Sequence, residues 1–88
     1  MIKISSIESR GGYRLFLRFS DGSEDERDFS DLIAERGSLV EPLRDPAYFA
    51  RAFTEDGSSL AWPNGLDLDA EVLHQQMKAA GLLRVPAA

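Results

Sequence analysis

The chain has 88 residues and a formal net charge of −5, and it contains no cysteine. This length allows one domain with a modest core, and the lack of cysteine excludes disulfides, thiolate nucleophiles and cysteine-based metal sites. An acidic chain without a basic cluster repels phosphate backbones, so we expect no nucleic-acid partner. The sequence shows no signal-peptide pattern and no apolar run long enough to span a bilayer. We therefore expect a cytoplasmic protein without a membrane contact.

The first part of the chain has the pattern of a three-stranded antiparallel meander. Residues 2–7 are rich in β-branched side chains, and residues 13–19 alternate with a period of two, as half-buried strands do. The predicted core face of the second strand consists of Tyr13, Leu15, Leu17 and Phe19. Its other face carries Arg14, Phe16 and Arg18. An Asp-Gly pair at residues 21–22 then predicts a hairpin into an acidic third strand.

The charges of this hairpin favour one of two loop lengths. A two-residue loop would place apolar side chains of the second strand opposite acids of the third. A three-residue loop that ends at a left-handed Gly22 shifts the register by one residue. The facing pairs are then Arg18 with Glu24 and Arg14 with Asp28. Opposite charges across a ladder contribute about 0.2–1 kcal/mol per pair, so the sequence predicts the three-residue loop.

Two short helical segments are predicted in the middle of the chain. Residues 30–36 read as a short helix that Ser30 or Asp31 caps and Gly37 ends, because these residue types favour the two helix termini. The Asp-Pro pair at residues 45–46 predicts an N-cap followed by the first residue of one further helical turn.

A second hairpin and a longer helix are predicted in the last third of the chain. Residues 52–54 and 60–62 would be the paired strands, and a Pro-Asn-Gly turn at residues 63–65 would follow them, with positive φ at one of its last two residues. Asp69 is the predicted N-cap of a helix over residues 69–80. Its predicted apolar side consists of Val72, Leu73, Met77 and Ala80.

These elements together predict a small α+β fold. We expect a single domain over residues 1–88 that combines the antiparallel meander, the short helix, the second hairpin and the C-terminal helix. Gly81 is expected to end that last helix. The tail from about residue 82 is expected either to dock through Leu82 and Leu83 or to fray.

The residues that could carry chemistry do not form a recognisable catalytic or metal motif. Glu71 and His74 could share a helix face, but carboxylate metal sites need this Glu-x-x-His pair twice, and the chain has one histidine. We therefore expect Glu71 to favour the positive end of the helix and His74 to be solvated. The acidic run after Asp21 lacks the spacing of a calcium loop, and no serine lies in a nucleophile elbow. The sequence predicts a protein that is not an enzyme and has no cofactor.

Two groups of residues are candidates for binding. Phe16 lies between two arginines on the charged side of the second strand, where an aromatic residue is a plausible interface anchor, although a helix crossing that face would also explain it. The predicted contact face consists of Arg14, Phe16, Arg18, Glu24 and Glu26. The alternative is a small-molecule or metal site at Trp62, Asn64 and Asp67.

Three stretches of the sequence carry a family resemblance: "LRFSDGSEDERDFSDLI", "PLRDPAYFARAF" and "LAWPNGLDLDAEVL". They resemble the small bacterial family known as domain of unknown function 2442, from about Ile4 to about Leu73, although members often have proline in place of Ala70. The resemblance implies a small α+β fold without an established enzymatic activity. It also implies a gene that often lies beside another small gene, in an arrangement that looks like a toxin–antitoxin pair.

The predicted function is a non-catalytic protein-interaction module, with an antitoxin-like role beside a small, basic neighbouring protein as its more specific form. The acidic balance of the chain and the missing catalytic motif support this prediction. A homodimer is a further possibility, since a domain of this size gains buried surface by association.

Overall fold

The structure, a computed structural model, describes residues 1–86 and contains two antiparallel sheets and four helical segments within that range. The first half consists of the strands β1 (Ile4–Ser9), β2 (Arg14–Phe19) and β3 (Glu24–Asp28), the helix α1 (Ser30–Ile33), a 3-10 helix (Glu41–Arg44) and the helix α2 (Pro46–Phe49). The second half consists of the strands β4 (Ser59–Ala61) and β5 (Asp67–Asp69) and the helix α3 (Ala70–Ala79). The predicted α+β fold is confirmed.

The first sheet has the strand order β1-β2-β3, as the meander predicts. The residues facing each other across β2 and β3 include Arg18 with Glu24 and Arg14 with Asp28. Gly22 has a φ of 87°, and the backbone N–H of Phe19 donates to the Ser23 carbonyl at 2.8 Å. The three-residue loop is therefore confirmed, and the cross-strand charges predicted the correct register.

The core forms where the inner face of the first sheet meets the helices. Leu15, Leu17 and Phe19 of β2 are at most 1% exposed, and they share one apolar cluster with Leu73 and Met77 of α3. Full burial of each such side chain contributes about 1.5–3 kcal/mol. Phe49 lies at an aromatic centre, with its ring centroid 5.6 Å from Tyr13, 5.8 Å from Phe29 and 5.5 Å from Trp62.

The helix α1 is shorter than predicted, and its predicted cap is wrong. Neither Ser30 nor Asp31 caps it, since Phe29 occupies the N-cap position and no side chain bonds there. Asp28, one residue earlier, instead accepts hydrogen bonds from the Ser30 backbone N–H at 2.8 Å and the Ser30 hydroxyl at 2.5 Å. This local Asx-type turn uses the acid before the helix rather than at its first residue. The helical hydrogen bonds then end at Ile33, three residues before the predicted end.

The second sheet pairs different strands from those predicted. Ser59–Ala61 pairs with Asp67–Asp69, whereas the predicted strand at residues 52–54 contributes only a bridge between Phe53 and Ala61. The turn at residues 63–65, with Gly65 at a φ of 95°, brings β5 directly back onto β4. The Trp62 backbone N–H donates to the Leu66 carbonyl at 2.9 Å, so the Pro-Asn-Gly turn lies inside this hairpin rather than after it. The loop of the predicted hairpin, residues 55–59, is no longer than residues 62–66, so loop length does not explain the choice.

The helix α3 begins and ends as predicted, but its buried side is different. Asp69 caps it through a 3.2 Å hydrogen bond from the Val72 backbone N–H, and Gly81 follows it with a φ of 72°. The buried residues are Ala70, Leu73 and Met77, spaced three and four apart. Val72 is 48% exposed. It lies two residues after the buried Ala70, which is about 200° around the helix axis and therefore on the opposite side. Ala80 is exposed as well.

The segment after α3 docks on the first sheet. Glu24 and Arg84 form a two-way backbone bridge, with N–O distances of 2.8 and 3.2 Å. Leu83 is half-buried against the core, whereas Leu82 is 36% exposed. Docking therefore uses Leu83 and Arg84 rather than both predicted leucines. Within residues 1–86, no helix combines the length and the apolar character needed to cross a bilayer.

Candidate functional site

The predicted contact residues lie together on the side of the first sheet that faces away from the core. We call this surface the outer sheet face; its side chains are Glu8, Arg10, Arg14, Phe16, Arg18, Glu24 and Glu26, because the alternation of the strands places them on one side. Phe16 is half-buried between Glu8 of β1 and Glu26 of β3, which face it across the ladder. The Arg10 guanidinium lies 4.6 Å from the centroid of the Phe16 ring. The face thus centres on an aromatic ring covered by one cation.

The charges of the outer sheet face are largely paired with one another. Arg18 Nε–H donates to Glu24 Oε1 at 3.0 Å, and Arg18 Nη2 lies 2.9 Å from the same oxygen in an ion pair. Arg84 Nη2 lies 3.8 Å from Glu24 Oε2. Glu24 is only 6% exposed. Arg14 Nη1 lies 3.7 Å from Glu26 Oε2 in a more exposed pair. Glu24 therefore serves the attachment of the tail, and the accessible part of the face is Phe16 with Arg10, Arg14 and Glu26.

No helix of residues 1–86 packs over Phe16. Their buried side chains belong to the core cluster on the inner face of the sheet, and Phe16 is not part of that cluster. The alternative in which a helix crosses the outer sheet face is therefore wrong for the described part of the chain.

The residues of the alternative site have structural roles in the fold. Trp62 is 1% exposed, and its Nε1–H donates to the Phe49 carbonyl at 2.9 Å. The Asn64 amide donates to the Leu39 carbonyl at 2.7 Å and accepts from the Leu66 backbone N–H at 3.3 Å. Trp62 and Asp67 both line an open hollow of about 380 Å³, whereas Asn64 does not. The structure thus brings two of the three predicted residues to one hollow.

His74 is not solvated as predicted; it connects α3 to the first hairpin loop. Its side chain is 13% exposed, and its Nε2 lies 2.9 Å from Asp21 Oδ2. The ring meets Phe19 edge-on, with centroids 5.1 Å apart. The pKa of Asp21 is lowered to about 2, chiefly because the Ser23 hydroxyl donates to it, with further contributions from the Ser23 backbone N–H and from His74. Burial opposes this shift only in part.

Glu71 does not join His74 in a shared site. Its Oε1 accepts from the Ile2 backbone N–H at 3.3 Å, which attaches the N-terminus to α3. No group of three or more metal-ligating side chains comes together within residues 1–86. Glu71 and His74 therefore hold separate segments of the chain against α3.

Two arginines of the outer sheet face were missed by the sequence reasoning. Arg10 continues the outward alternation of Glu8 two residues later, so the period of β1 could have identified it. Arg84 carried no sequence signal, because only the docking of the tail brings it to Glu24.

Comparison with known proteins identifies the family. The model of the family described as "Protein of unknown function (DUF2442)" matches residues 4–79. No curated protein and no solved structure matches the chain. The matched range runs from the first residue of β1 to the last residue of α3, and so includes both sheets. The chain therefore belongs to the DUF2442 family of proteins of unknown function.

Proposed function

We propose that the domain is a non-catalytic protein-interaction module that contacts its partner through the outer sheet face. The observation that supports this proposal is the position of Phe16, which is accessible on a sheet face that the described helices leave open. Aromatic and arginine side chains dominate the binding energy of protein interfaces. Phe16 and Arg10 supply such a pair, and Arg14 adds a second cation beside them.

The paired charges around Phe16 favour a protein partner over a highly charged ligand. Each cation of the face has a carboxylate near it, so a strongly charged ligand would have to displace an existing ion pair. A partner with an apolar pocket and a polar rim could cover Phe16 without breaking these pairs. In its more specific form, the proposal makes this partner a small protein encoded by a neighbouring gene, in an antitoxin-like arrangement.

The test compares Phe16 with a second aromatic residue in a similar setting. Tyr48 is half-buried on another surface, with the Arg51 guanidinium 5.3 Å from its ring centroid. The wild type, Phe16→Ala and Tyr48→Ala carry the same tag and are used to capture proteins from the native host. We expect a stoichiometric protein, identified by mass spectrometry, with wild type and Tyr48→Ala, and its loss with Phe16→Ala.

If wild type, Phe16→Ala and Tyr48→Ala capture the partner equally, Phe16 is not part of the contact surface and the proposal for the outer sheet face is wrong. Phe16→Ala alone is easier to interpret than a variant that also replaces Arg18, because Arg18 neutralises the buried Glu24. Loss of that arginine would leave a buried carboxylate short of a partner and lower the stability as well. Circular dichroism of each variant establishes that it is folded before its binding is compared.

A homodimer is a second form of the interaction function. Within the described residues β1 is an edge strand that pairs only with β2, and such an edge can pair with another strand. Light scattering that gives twice the mass of the chain supports this form, and a monomeric mass contradicts it.

The alternative, a small-molecule or metal site, is supported by the hollow beside Trp62 and Asp67. Glu55 and Asp56 also line this hollow, although within residues 1–86 its carboxylates do not converge into a group of three metal ligands. This alternative predicts a rise in Tm with a divalent ion such as Mg²⁺ or Ca²⁺, and no rise in Asp67→Asn. An unchanged Tm of the wild type over the tested ions contradicts a metal site.

A further inference from the structure

A groove follows one side of α3, between that helix and the segment from β3 to α1. It consists of two open hollows of about 550 and 280 Å³. Both hollows are lined by Arg27, Asp31 and Gln76, so they meet at these three residues. We call the combined surface the α3 groove. It lies along the helix whose Leu73 and Met77 also belong to the core cluster.

The floor of the α3 groove is apolar and partly exposed. Met77 and Leu73 contribute buried surface, while Val72 and Leu82 are 48% and 36% exposed. Val72 lines one hollow and Leu82 the other, above the buried Leu73 and Met77, so each hollow offers apolar surface that another element can cover. The floor is therefore able to supply hydrophobic binding energy.

The rim of the α3 groove carries the excess negative charge of the whole chain. Its carboxylates are Glu26, Asp28, Asp31, Glu35, Asp67 and Asp69. Arg27 is the one basic residue among the lining residues. The chain has 15 acidic residues and 10 lysines and arginines, so the nine acids and nine bases outside the groove cancel. The formal net charge of −5 is thus located around this single surface.

Arg27 balances only one carboxylate of the rim, because most of its side chain is engaged inside the groove. Its Nη1 donates to Gln76 Oε1 at 2.8 Å, and its guanidinium lies 4.7 Å from the centroid of the Phe29 ring. The side chain is 15% exposed, and its Nη2 is 3.6 Å from Asp31 Oδ2. Arg27 thus connects β3 to α3 across the groove. Glu26 is paired with Arg14, and Asp28 and Asp69 accept hydrogen bonds from the chain. Within residues 1–86, Glu35 and Asp67 have no ion pair and are the rim carboxylates most available to a partner.

We infer that the α3 groove docks a basic amphipathic helix of a partner protein. An apolar stripe on that helix would cover Val72 and Leu82, and lysines or arginines beside the stripe would meet the carboxylates on both rims. A helix fits better than a strand because the floor consists of side chains, and because Arg84 already pairs with the edge of β3 at Glu24. Nucleic acids and anionic membranes would be repelled by the same charge.

This inference goes beyond the proposed function and can fail independently of it. The outer sheet face is centred on Phe16, which does not line the α3 groove. The variant Phe16→Ala should therefore leave binding at the groove unchanged. If Phe16→Ala removes the captured partner while the groove binds no basic helix, the proposed function stands and this inference does not.

The test uses a fluorescent helical peptide of lysine and leucine residues, with leucines on one side, and measures its binding by fluorescence anisotropy. The groove variant combines Asp31→Asn, Glu35→Gln and Asp67→Asn, all exposed rim residues. The control combines Glu8→Gln, Glu41→Gln and Glu55→Gln, which are exposed outside the groove and change the net charge equally. We expect the groove variant to bind about tenfold more weakly, from three surface charge contacts, and the control less than about twofold more weakly.

The floor is tested separately by Val72→Thr, which keeps the shape of the side chain and replaces one of its methyl groups with a hydroxyl. We expect weaker peptide binding, together with NMR shift changes at the amides of Val72, Gln76 and Leu82 when the peptide is added to the wild type. Equal weakening by the groove and control variants would mean that the peptide follows net charge alone, and that result overturns the inference. Absence of wild-type binding at low salt, or shift changes confined to other surfaces, overturns it too.

Discussion

Gly57 is the position at which a single added methyl group should test the packing of the fold most directly. It lies in the loop before β4 with a φ of +86°, and its carbonyl accepts from the Ile4 backbone N–H at 2.7 Å. A Cβ added there would lie 2.8 Å from the Ile4 carbonyl oxygen and 3.0 Å from Lys3 Cβ. The first contact is with backbone, which cannot move aside as a flexible side chain can.

Gly22 provides a control with almost the same backbone conformation. Its φ is +87°, and a Cβ added there would meet nothing within 4 Å. Left-handed backbone costs an L-residue about 1–2 kcal/mol, and both Gly→Ala changes share this cost. Gly57→Ala adds about 1–3 kcal/mol for overpacking and about 0.5–1.5 kcal/mol for the strained hydrogen bond from Ile4. We therefore expect Gly57→Ala to lower the free energy of unfolding by about 2–4 kcal/mol more than Gly22→Ala.

The assay is urea unfolding followed by tryptophan fluorescence. Trp62 is the one tryptophan of the chain and is 1% exposed, so it reports on the core. A domain of this size has a total stability of roughly 4–13 kcal/mol. Gly57→Ala should therefore come close to unfolding in water if the wild type lies at the low end of this range, while Gly22→Ala stays folded. Equal loss of stability in the two variants would refute the close approach of Gly57 to β1.

Two further predictions concern the charges that hold the first sheet. Glu24→Gln should lower the free energy of unfolding by about 1–3 kcal/mol, because the 6% exposed carboxylate accepts charged hydrogen bonds from Arg18. Glu8→Gln, in an exposed pair with Arg10 at 3.8 Å, should change it by less than about 0.5 kcal/mol, and equal effects in urea unfolding would contradict the burial of Glu24. The folded-state pKa of Asp21 is lowered to about 2, below the unfolded value of 3.8. Its contribution to the free energy of unfolding is therefore fully present above pH 4 and is lost as the pH falls towards 2. The difference in unfolding free energy between wild type and Asp21→Asn should shrink over that range. A difference that stays constant from pH 5 to pH 2 would show that the charge of Asp21 does not stabilise the fold.

Local patterns predicted those parts of the fold that depend on neighbours in the chain. The charges of Arg14 and Arg18 predicted the register with the acidic strand, because a hairpin register follows from a few adjacent residues. Asp69 and Gly81 predicted the ends of α3 for the same reason. The cap of α1 was wrong because Asp28, two residues before Ser30, accepts the Ser30 hydrogen bonds, so that no side chain caps the helix.

The candidate surfaces were predictable only where one strand carries them. Period two placed Phe16 between Arg14 and Arg18 on the outward side of β2, and the structure has them there. The role of Glu24 depended on the tail, since Arg84 reaches it from 60 residues away in the chain. The α3 groove draws its carboxylates from β3, α1, β5 and the residues beside them. A sequence pattern does not indicate that such distant acids converge.

The sequence by itself determined the α+β class, the meander with its three-residue loop, the caps at Asp45 and Asp69, and the acidic balance of the chain. These features follow from side-chain period, turn chemistry and charge, which act over a few residues. Only the tertiary structure decided that β4 pairs with β5, that His74 packs between Phe19 and Asp21, and that the negative charge gathers around one groove. The position of His74 and the groove depend on the distance between segments far apart in the chain, which is set when the core packs. The β4–β5 pairing is local, but the sequence pattern offered another partner for β4.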